Sequence, residues 1–181
     1  VGARDRVAAV QQVAMLALYE AATAAGRPLI VQVTAHTGGA AADSPFLLTK
    51  HGADTALAES GLPFVLLRPA IVIGRNAYGG SALLRALAAL PVVTPLVGPG
   101  ALLQFVALDD LVDAVRDAVA GSLPPGSDID LASDERLRLS QAVAQHRAWL
   151  GLAPARTVDV PAPVARAVAR LADMLGRLGW R

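Results

Sequence analysis

The residue best suited to contact a ligand in this sequence is Lys50, because it is the only lysine among 16 basic residues. Arginine replaces lysine poorly where a compact, rotatable ammonium must donate to several acceptors in a tight pocket. Phe46 lies four residues earlier, so a helix would place both side chains on one face. The composition therefore predicts a functional role for Lys50. The alternative is an ordinary lysine on a helix surface.

A helix that begins beside Ser44 would position this pair. Ser44 is a favoured N-cap residue, and Pro45 suits the first helical position. The helix is predicted to continue to about Glu59 and to end at Gly61, since glycine is the usual residue just beyond a helix. Both residues of the pair would then lie in the first two turns, where helices often meet ligands.

Two apolar segments on either side of this helix are predicted to be strands. Residues 29–34 and 64–67 contain apolar residues on both faces, which is typical of strands buried in a parallel sheet. The repeated order of helix and strand predicts parallel neighbours with right-handed crossovers, and hence an α/β fold. Thr34 would lie at the carboxyl end of its strand, the edge where open α/β sheets bind ligands. A loop over residues 35–43 follows it.

Cap and turn residues predict the other elements. Further helices are predicted over residues 4–25, 82–90 with Ser81 as cap, 111–121, 140–150 with Ser140 as cap, and from 163 onward. Shorter strands are predicted over 103–107, 129–132 and 156–160, and a turn-rich connector over 95–100. Asp109 and Asp110 are interpreted most simply as an N-cap with favourable dipole interactions.

The composition excludes several classes of function. The 181 residues carry a net charge of +1, so no nucleic-acid partner is predicted. The absence of cysteine excludes disulfides and thiol chemistry, and it fits a reducing, cytoplasmic location. No two histidines have metal-ligand spacing, so no metal site is predicted. No apolar run reaches the ~18 residues of a membrane-spanning helix.

A family resemblance rests on several motifs that occur in order. These are Thr34, Phe46 and Lys50, then Arg68-Pro69-x-x-Val72-x-Gly74, then Phe105-Val106-x-x-Asp109-Asp110. Over about residues 7–160 the chain resembles the extended and atypical short-chain dehydrogenase/reductases, in particular their NAD(P)-binding, NmrA-like or complex-I-subunit-like branch. The resemblance implies the C-terminal part of a Rossmann-type, doubly wound parallel sheet with a small helical substrate lobe. It divides the chain into residues 1–160 and a C-terminal amphipathic helix over 161–181.

The resemblance also implies roles for single residues. Thr34 matches the residue that orients the substrate carbonyl, and Lys50 matches the lysine that holds the nicotinamide ribose, so both are candidate catalytic and cofactor-binding residues. Pro69, Ala70, Ile71 and Val72 match the segment beside the nicotinamide, and Asp109 and Asp110 match an acidic pair near the substrate lobe. The implied cofactor is NAD or NADP, and the implied partner is a small-molecule substrate. The implied function is that of an NAD(P)-dependent oxidoreductase or epimerase-like protein.

Two departures from the family pattern put catalysis in question. The catalytic tyrosine of the family falls at Phe46, which has no hydroxyl to transfer a proton. The alternative function is therefore a non-catalytic dinucleotide-binding sensor or assembly protein. His36 is the better of the histidines as a substitute donor, since His51 points about 100° away from Lys50 on the helix. The family's Gly-rich fingerprint is also absent, so we expect the nucleotide-binding part to precede residue 1.

The C-terminal segment has two interpretations. Arginines at 166, 170, 177 and 181 share one side of the predicted helix, opposite Val164, Val168, Leu171, Leu175 and Leu178. A helix packed on the protein surface would explain this pattern. The alternative is a contact with a membrane surface or a partner through residues 163–181, which Trp180 favours.

Overall fold

A computed structural model of the chain describes residues 8–36 and 44–177. They form two compact units, one containing residues 1–74 and 105–133 and the other residues 75–104 and 134–181. The predicted division of the chain at residue 160 stays a prediction. Among the described residues, no helix is both long and apolar enough to cross a membrane.

The first unit contains three α-helices and five strands among its described residues. Its first stretch of chain contains α1 (Ala14–Ala24), β1 (Ile30–Val33), α2 (Pro45–Glu59), β2 (Phe64–Pro69) and β3 (Ile71–Ile73). Its second stretch contains β6 (Phe105–Ala107), α4 (Leu108–Val119) and β7 (Ser127–Leu131). The second unit supplies α3 (Gly79–Ala88), β4 (Val93–Leu96), β5 (Leu102–Leu103), β8 (Leu137–Arg138), α5 (Leu139–Trp149), β9 (Arg156–Asp159) and α6 (Ala162–Arg177).

A three-stranded parallel sheet in the order β1-β2-β7 is the centre of the first unit. Its middle strand is buried on both faces, as the apolar run at 64–67 predicts. Leu66 packs with Tyr19 of α1 and Leu57 of α2, whereas Val65 and Leu67 pack against Ala118 of α4. Helices therefore cover both faces of a parallel sheet, and the predicted α/β fold is confirmed.

The chain leaves this sheet at Ala70, whose N–H donates to the carbonyl of Leu131 at 2.9 Å. Directly afterwards, β3 pairs in parallel with β6. Gly74 follows, and a Cβ atom at this position would come within 3.0 Å of the Leu108 side chain at the start of α4. The glycine of the Arg-Pro-x-x-Val-x-Gly motif thus permits close approach of the strand and the helix.

Two predictions for the first unit need correction. Strand β1 is not buried on both faces, because Val33 is exposed at the outer strand of the described sheet. The predicted helix over residues 4–25 is not regular: residues 9–13 form a π-helical turn before α1, and residues 4–7 lie outside the described part. Among the described residues of these two elements, Tyr19 and Ala22 are buried.

Three helix starts also differ from the prediction. Helix α3 begins at Gly79, so Ser81 lies inside its first turn, where its hydroxyl bonds the backbone N–H and carbonyl of Tyr78. Helix α4 begins at Leu108, so Asp109 and Asp110 lie in its first turn and are not its N-cap. Helix α5 begins at Leu139, and Ser140 is not its cap either. Polar residues are common both at the N-cap and in the first turn, because side chains at either place can bond backbone groups at the helix start. The residue type alone therefore does not distinguish the two positions.

The second unit is held by small sheets and by one buried arginine. Strand β4 pairs in parallel with β9, which confirms the extended segment after Arg156 but places Pro95 in a strand and not in a connector. Strand β5 pairs antiparallel with the unpredicted β8. Arg147 of α5 is buried, and its guanidinium donates to the carbonyls of Ala88, Leu90, Pro91 and Ala153. This side chain therefore joins α5 to the end of α3 and to the loop after α5.

We expect Arg147→Met to destabilise the protein by about 1–3 kcal/mol, because it keeps the apolar stem and leaves buried carbonyls without donors. Equilibrium denaturation in urea measures this change. The matched control is Arg116→Met, since Arg116 is exposed and pairs with Asp113 one turn away. We expect the control to change stability by less than about 0.5 kcal/mol. Equal effects of the two variants would contradict the role assigned to Arg147.

Candidate functional site

The start of α2 sets the position of Phe46 and Lys50. The Ser44 hydroxyl accepts the N–H of Leu47 at 3.3 Å, and Pro45 occupies the first turn, so the predicted N-terminus is confirmed. The helix ends before Gly61, which has a φ of 71° and so takes the left-handed conformation expected at this point. One turn apart on this helix, the Lys50 Nζ atom lies 5.7 Å from the centre of the Phe46 ring.

A small cavity with both polar and apolar lining residues contains Lys50 and Thr34. It has a volume of about 70 Å³ and lies between β1, α2 and the residues around α1. Its lining consists of Gln11, Met15, Gln32, Val33, Thr34, Lys50, Ala53 and Asp54. Two of the residues singled out in the sequence therefore face one space, although 16 positions separate them in the chain.

The central group of this site is the carboxylate of Asp54, which is only 2% exposed. Its Oδ1 atom accepts from Gln32 Nε2 at 2.7 Å. Its Oδ2 atom accepts from Thr34 Oγ1 at 2.9 Å and from Arg68 Nη1 at 2.9 Å. A buried carboxylate is tolerated only when it is paired and hydrogen-bonded, and here donors from β1, from the end of β1 and from β2 meet this requirement.

Arg68 links Asp54 to the neighbouring strand β7. Its Nε and Nη2 atoms donate to both oxygens of Asp128, at 2.6 and 3.0 Å, and its Nη1 atom also donates to the carbonyl of Ala35 at 3.3 Å. The hydrogen bond to Asp128 is the largest cause of a raised Arg68 pKa, which burial opposes and the charges of Asp54 and Asp128 reinforce. The guanidinium thus stays charged and fixes the sheet edge from which Thr34 emerges.

Tyr19 and Gln32 extend the network into the core. The Tyr19 hydroxyl donates to Gln32 Oε1, so the Gln32 amide has a partner at both ends. Burial raises the pKa of Tyr19, the hydrogen bond between Tyr19 and Gln32 opposes the shift, and the Asp54 charge adds to it. The phenol therefore remains protonated and serves as a fixed donor rather than as an acid at neutral pH.

The arrangement can hold hydroxyl groups. The Thr34 hydroxyl donates its proton to Asp54, so its oxygen can accept a hydrogen bond from a ligand hydroxyl. Burial lowers the pKa of the Lys50 ammonium, and the nearby Asp54 carboxylate partly opposes that change. The Lys50 amino group is a donor that lines the same cavity as the threonine acceptor, and a ligand with adjacent hydroxyls would satisfy both.

The other predicted residues lie outside the cavity lining. Pro69, Ala70, Ile71 and Val72 are half-buried where β2 gives way to β3, at the carboxyl end of the sheet. Asp109 and Asp110 are exposed on α4. His36 is exposed, and its Nδ1 atom lies 3.3 Å from Asp130 Oδ1. The structure thus brings Thr34 and Lys50 together and gives His36 a surface partner.

The sequence interpretation missed Asp54, Gln32 and Tyr19. Gln32 carried a usable signal, because an amide in the middle of an apolar strand requires a buried partner. Asp54 follows Lys50 by one helical turn, so the two share a face of α2. Tyr19 lies in the helix predicted over residues 4–25, and its buried phenol requires a hydrogen-bond partner.

The pKa of Lys50 can be measured directly, because selective isotopic labelling of lysine gives a single side-chain NMR signal. We expect a pKa below the usual ~10.4 of lysine and a further decrease in Asp54→Asn, which removes the opposing charge. The Lys50 amino group then binds its proton more tightly in the unfolded chain than in the folded chain. The free energy of unfolding should therefore rise with pH between the lowered pKa of the folded chain and about 10.4. Asp113→Asn, which removes an exposed carboxylate outside this network, is the control and should leave the signal unchanged. A Lys50 pKa at or above ~10.4 in the native protein would refute this description.

Solved structures of similar fold include sugar-nucleotide enzymes. The dTDP-glucose 4,6-dehydratase of Bacillus anthracis, solved with NAD, matches with a TM-score of 0.71 at 18% identity, over 85% of this chain and 56% of its own. The UDP-glucose 4-epimerase of Thermotoga maritima, solved with UDP-glucose, matches with a TM-score of 0.67 at 15% identity, over 88% of this chain and 62% of its own. RMD from Pseudomonas aeruginosa, solved with NADPH, matches with a TM-score of 0.64 at 13% identity, over 82% and 61%.

No protein-family model and no curated protein matches the sequence. The chain spans about 56–62% of the length of the three structures. At these identities the likeness concerns the fold, and the resemblance in fold predicted from the sequence motifs is confirmed. The chain therefore has a parallel α/β fold similar to that of these solved structures, over little more than half of their length.

Proposed function

We propose that this chain belongs to an NAD(P)-dependent oxidoreductase or epimerase-like protein that acts on a small-molecule substrate. The observation that carries the proposal is the cavity in which Lys50 and Thr34 meet beside Asp54. The fold supports it, because matching structures were solved with NAD or NADPH. Such a cofactor supplies hydride transfer when bound, and the protein supplies binding, orientation and electrostatics.

The residues present fit the ribose beside a nicotinamide. Lys50 would donate to ribose oxygens, and Thr34, oriented by Asp54, would accept from a ribose hydroxyl. A volume of about 70 Å³ equals roughly two water molecules, which suits the hydroxyl edge of a sugar rather than a whole nucleotide. Pro69, Ala70, Ile71 and Val72 are proposed to pack beside the nicotinamide ring. The adenine half would have to be held by residues other than these.

Reduced nicotinamide mononucleotide tests this proposal, since it contains the nicotinamide and its ribose without adenosine. We expect the chain to bind it, and Lys50→Ala to weaken binding about ten- to hundredfold, because charge-assisted hydrogen bonds of about 1.5–3 kcal/mol are lost. Fluorescence titration and calorimetry measure the affinity. Arg116→Ala removes one positive charge from an exposed position and should bind as the native chain does. Unchanged affinity in Lys50→Ala would exclude the proposed ribose site.

A non-catalytic dinucleotide-binding sensor or assembly protein is the second candidate, and Phe46 favours it. The Phe46 ring keeps its contact with the Lys50 ammonium but has no proton to transfer. Such a pocket would still sense whether the cofactor is present. The two candidates therefore share the binding site and differ in chemistry.

We expect Phe46→Tyr to introduce a phenol with a pKa below the usual ~10, because the Lys50 ammonium one turn away stabilises the phenolate. The phenolate absorbance, taken as the difference from the native chain, measures that pKa. Combining the change with Lys50→Met should return the pKa toward ~10. If the protein that contains this chain gains carbonyl reduction with the tyrosine, the pocket lacked only a proton donor. A phenol with a pKa at or above ~10 would contradict the idea of a pocket still arranged for catalysis.

The C-terminal helix supports a separate proposal, a contact with a membrane surface or a partner through residues 163–181. The specific observation is that Val164, Val168 and Leu171 are each more than half exposed.

A further inference from the structure

An apolar stripe runs along the outside of α6. Val164, Val168 and Leu171 follow one another at intervals of four and three residues, so they share one face of the helix. All three side chains are more than half exposed. The same spacing continues to position 175. An exposed row of large apolar side chains is costly in water unless another surface covers it.

Arginines occupy the other side of α6. At about 100° per residue, positions 166, 170 and 177 lie about 130–170° from the centre of the apolar stripe. Asp173 is the only acidic residue between 162 and 181, and the side chains of Arg166 and Arg170 are exposed. The helix thus separates an apolar face from a cationic face.

Charge is also separated along the chain as a whole. Residues 162–181 contain four arginines and one aspartate, a net charge of +3 in a chain whose total is +1. The first 161 residues therefore carry a net charge of −2. A cationic segment attached to a slightly acidic body is attracted to an anionic surface, and the body itself is not.

We propose that α6 lies flat on an anionic lipid bilayer, with its apolar stripe in the headgroup region and its arginines on the phosphates. This deepens the contact proposed through residues 163–181 and is independent of the dinucleotide site. A protein groove would cover the apolar stripe and leave the opposite arginines without a role. A bilayer surface satisfies both faces, because long cationic side chains reach up to lipid phosphates while the stripe is buried below them.

Vesicle co-sedimentation with the whole chain tests the proposal. We expect binding to vesicles of phosphatidylcholine and phosphatidylglycerol, much weaker binding to phosphatidylcholine alone, and a marked loss when sodium chloride is raised. Tryptophan fluorescence and circular dichroism of the free chain check that each variant folds as the native chain does.

Three sets of variants separate the contributions of charge and apolar area. Each of Arg166→Gln, Arg170→Gln and Arg177→Gln should weaken binding by about fivefold, from about 1 kcal/mol per basic residue. The three Arg→Lys changes should retain binding to vesicles, because attraction to lipid depends on charge. Binding to a protein partner that accepts hydrogen bonds from the planar guanidinium would be weakened by the same changes. Serine at Val164, Val168 and Leu171 together should abolish binding, and Val119→Ser, an exposed position on α4, is the control.

Several results would overturn the proposal. These are no binding to anionic vesicles, equal binding to neutral vesicles, or unchanged binding after the arginines are replaced by glutamine. Self-association without vesicle binding, measured by light scattering, would make a second copy of the chain the occupant of the apolar face. None of these results affects the binding of nicotinamide mononucleotide, so the two proposals can fail separately.

Discussion

The arrangement of the first unit depends on one buried negative charge. Asp54 sits on α2, but its donors come from β1, from the residue that ends β1 and from β2. A carboxylate removed from water must keep all such partners, so the helix cannot slide along the sheet without a large loss of stability. Lys50 lies one turn before Asp54, and its distance from Thr34 is therefore set by the same bonds. The buried pair of Asp54 and Arg68 thus fixes the spacing between the helix and the sheet at this site.

The same network also determines which polar groups line the cavity. Every donor and acceptor around Asp54 is committed to the framework, which leaves the Lys50 ammonium and the lone pairs of Thr34 to face the cavity. These groups bind hydroxyls well, but neither replaces a phenol of lowered pKa. Tyr19, the nearest phenol in the network, has a raised pKa and is held in the core. Binding and proton transfer are thus separate properties here.

Local signals in the sequence predicted much of the fold and part of the site. Ser44, Pro45 and Gly61 each act through nearby backbone, so the limits of α2 could be derived from residue types alone. The role of Asp54 could not be predicted in this way, because a polar residue on a helix is usually exposed. Only the folded sheet brings Gln32 and Arg68 to it. The pairing of β4 with β9 joins segments about 60 residues apart, so it could not be predicted from local sequence patterns. Non-local contacts thus account for the missed site residues and strand pairing, whereas the differences at three helix starts are local.

The bond between Asp54 and Arg68 has a consequence for how this protein can diverge. Replacing Arg68 leaves the buried Asp54 carboxylate without its cationic partner, which costs about 3–5 kcal/mol, a large part of a typical folding free energy. Arg68 without Asp54, in contrast, still pairs with Asp128. Arg68 can therefore be replaced without this cost only once Asp54 has been replaced by a neutral residue, so changes at this position are rare. Selection for folding alone would therefore keep the shape of this pocket long after any selection for chemistry had ended, so the geometry of an active site can outlive its reaction.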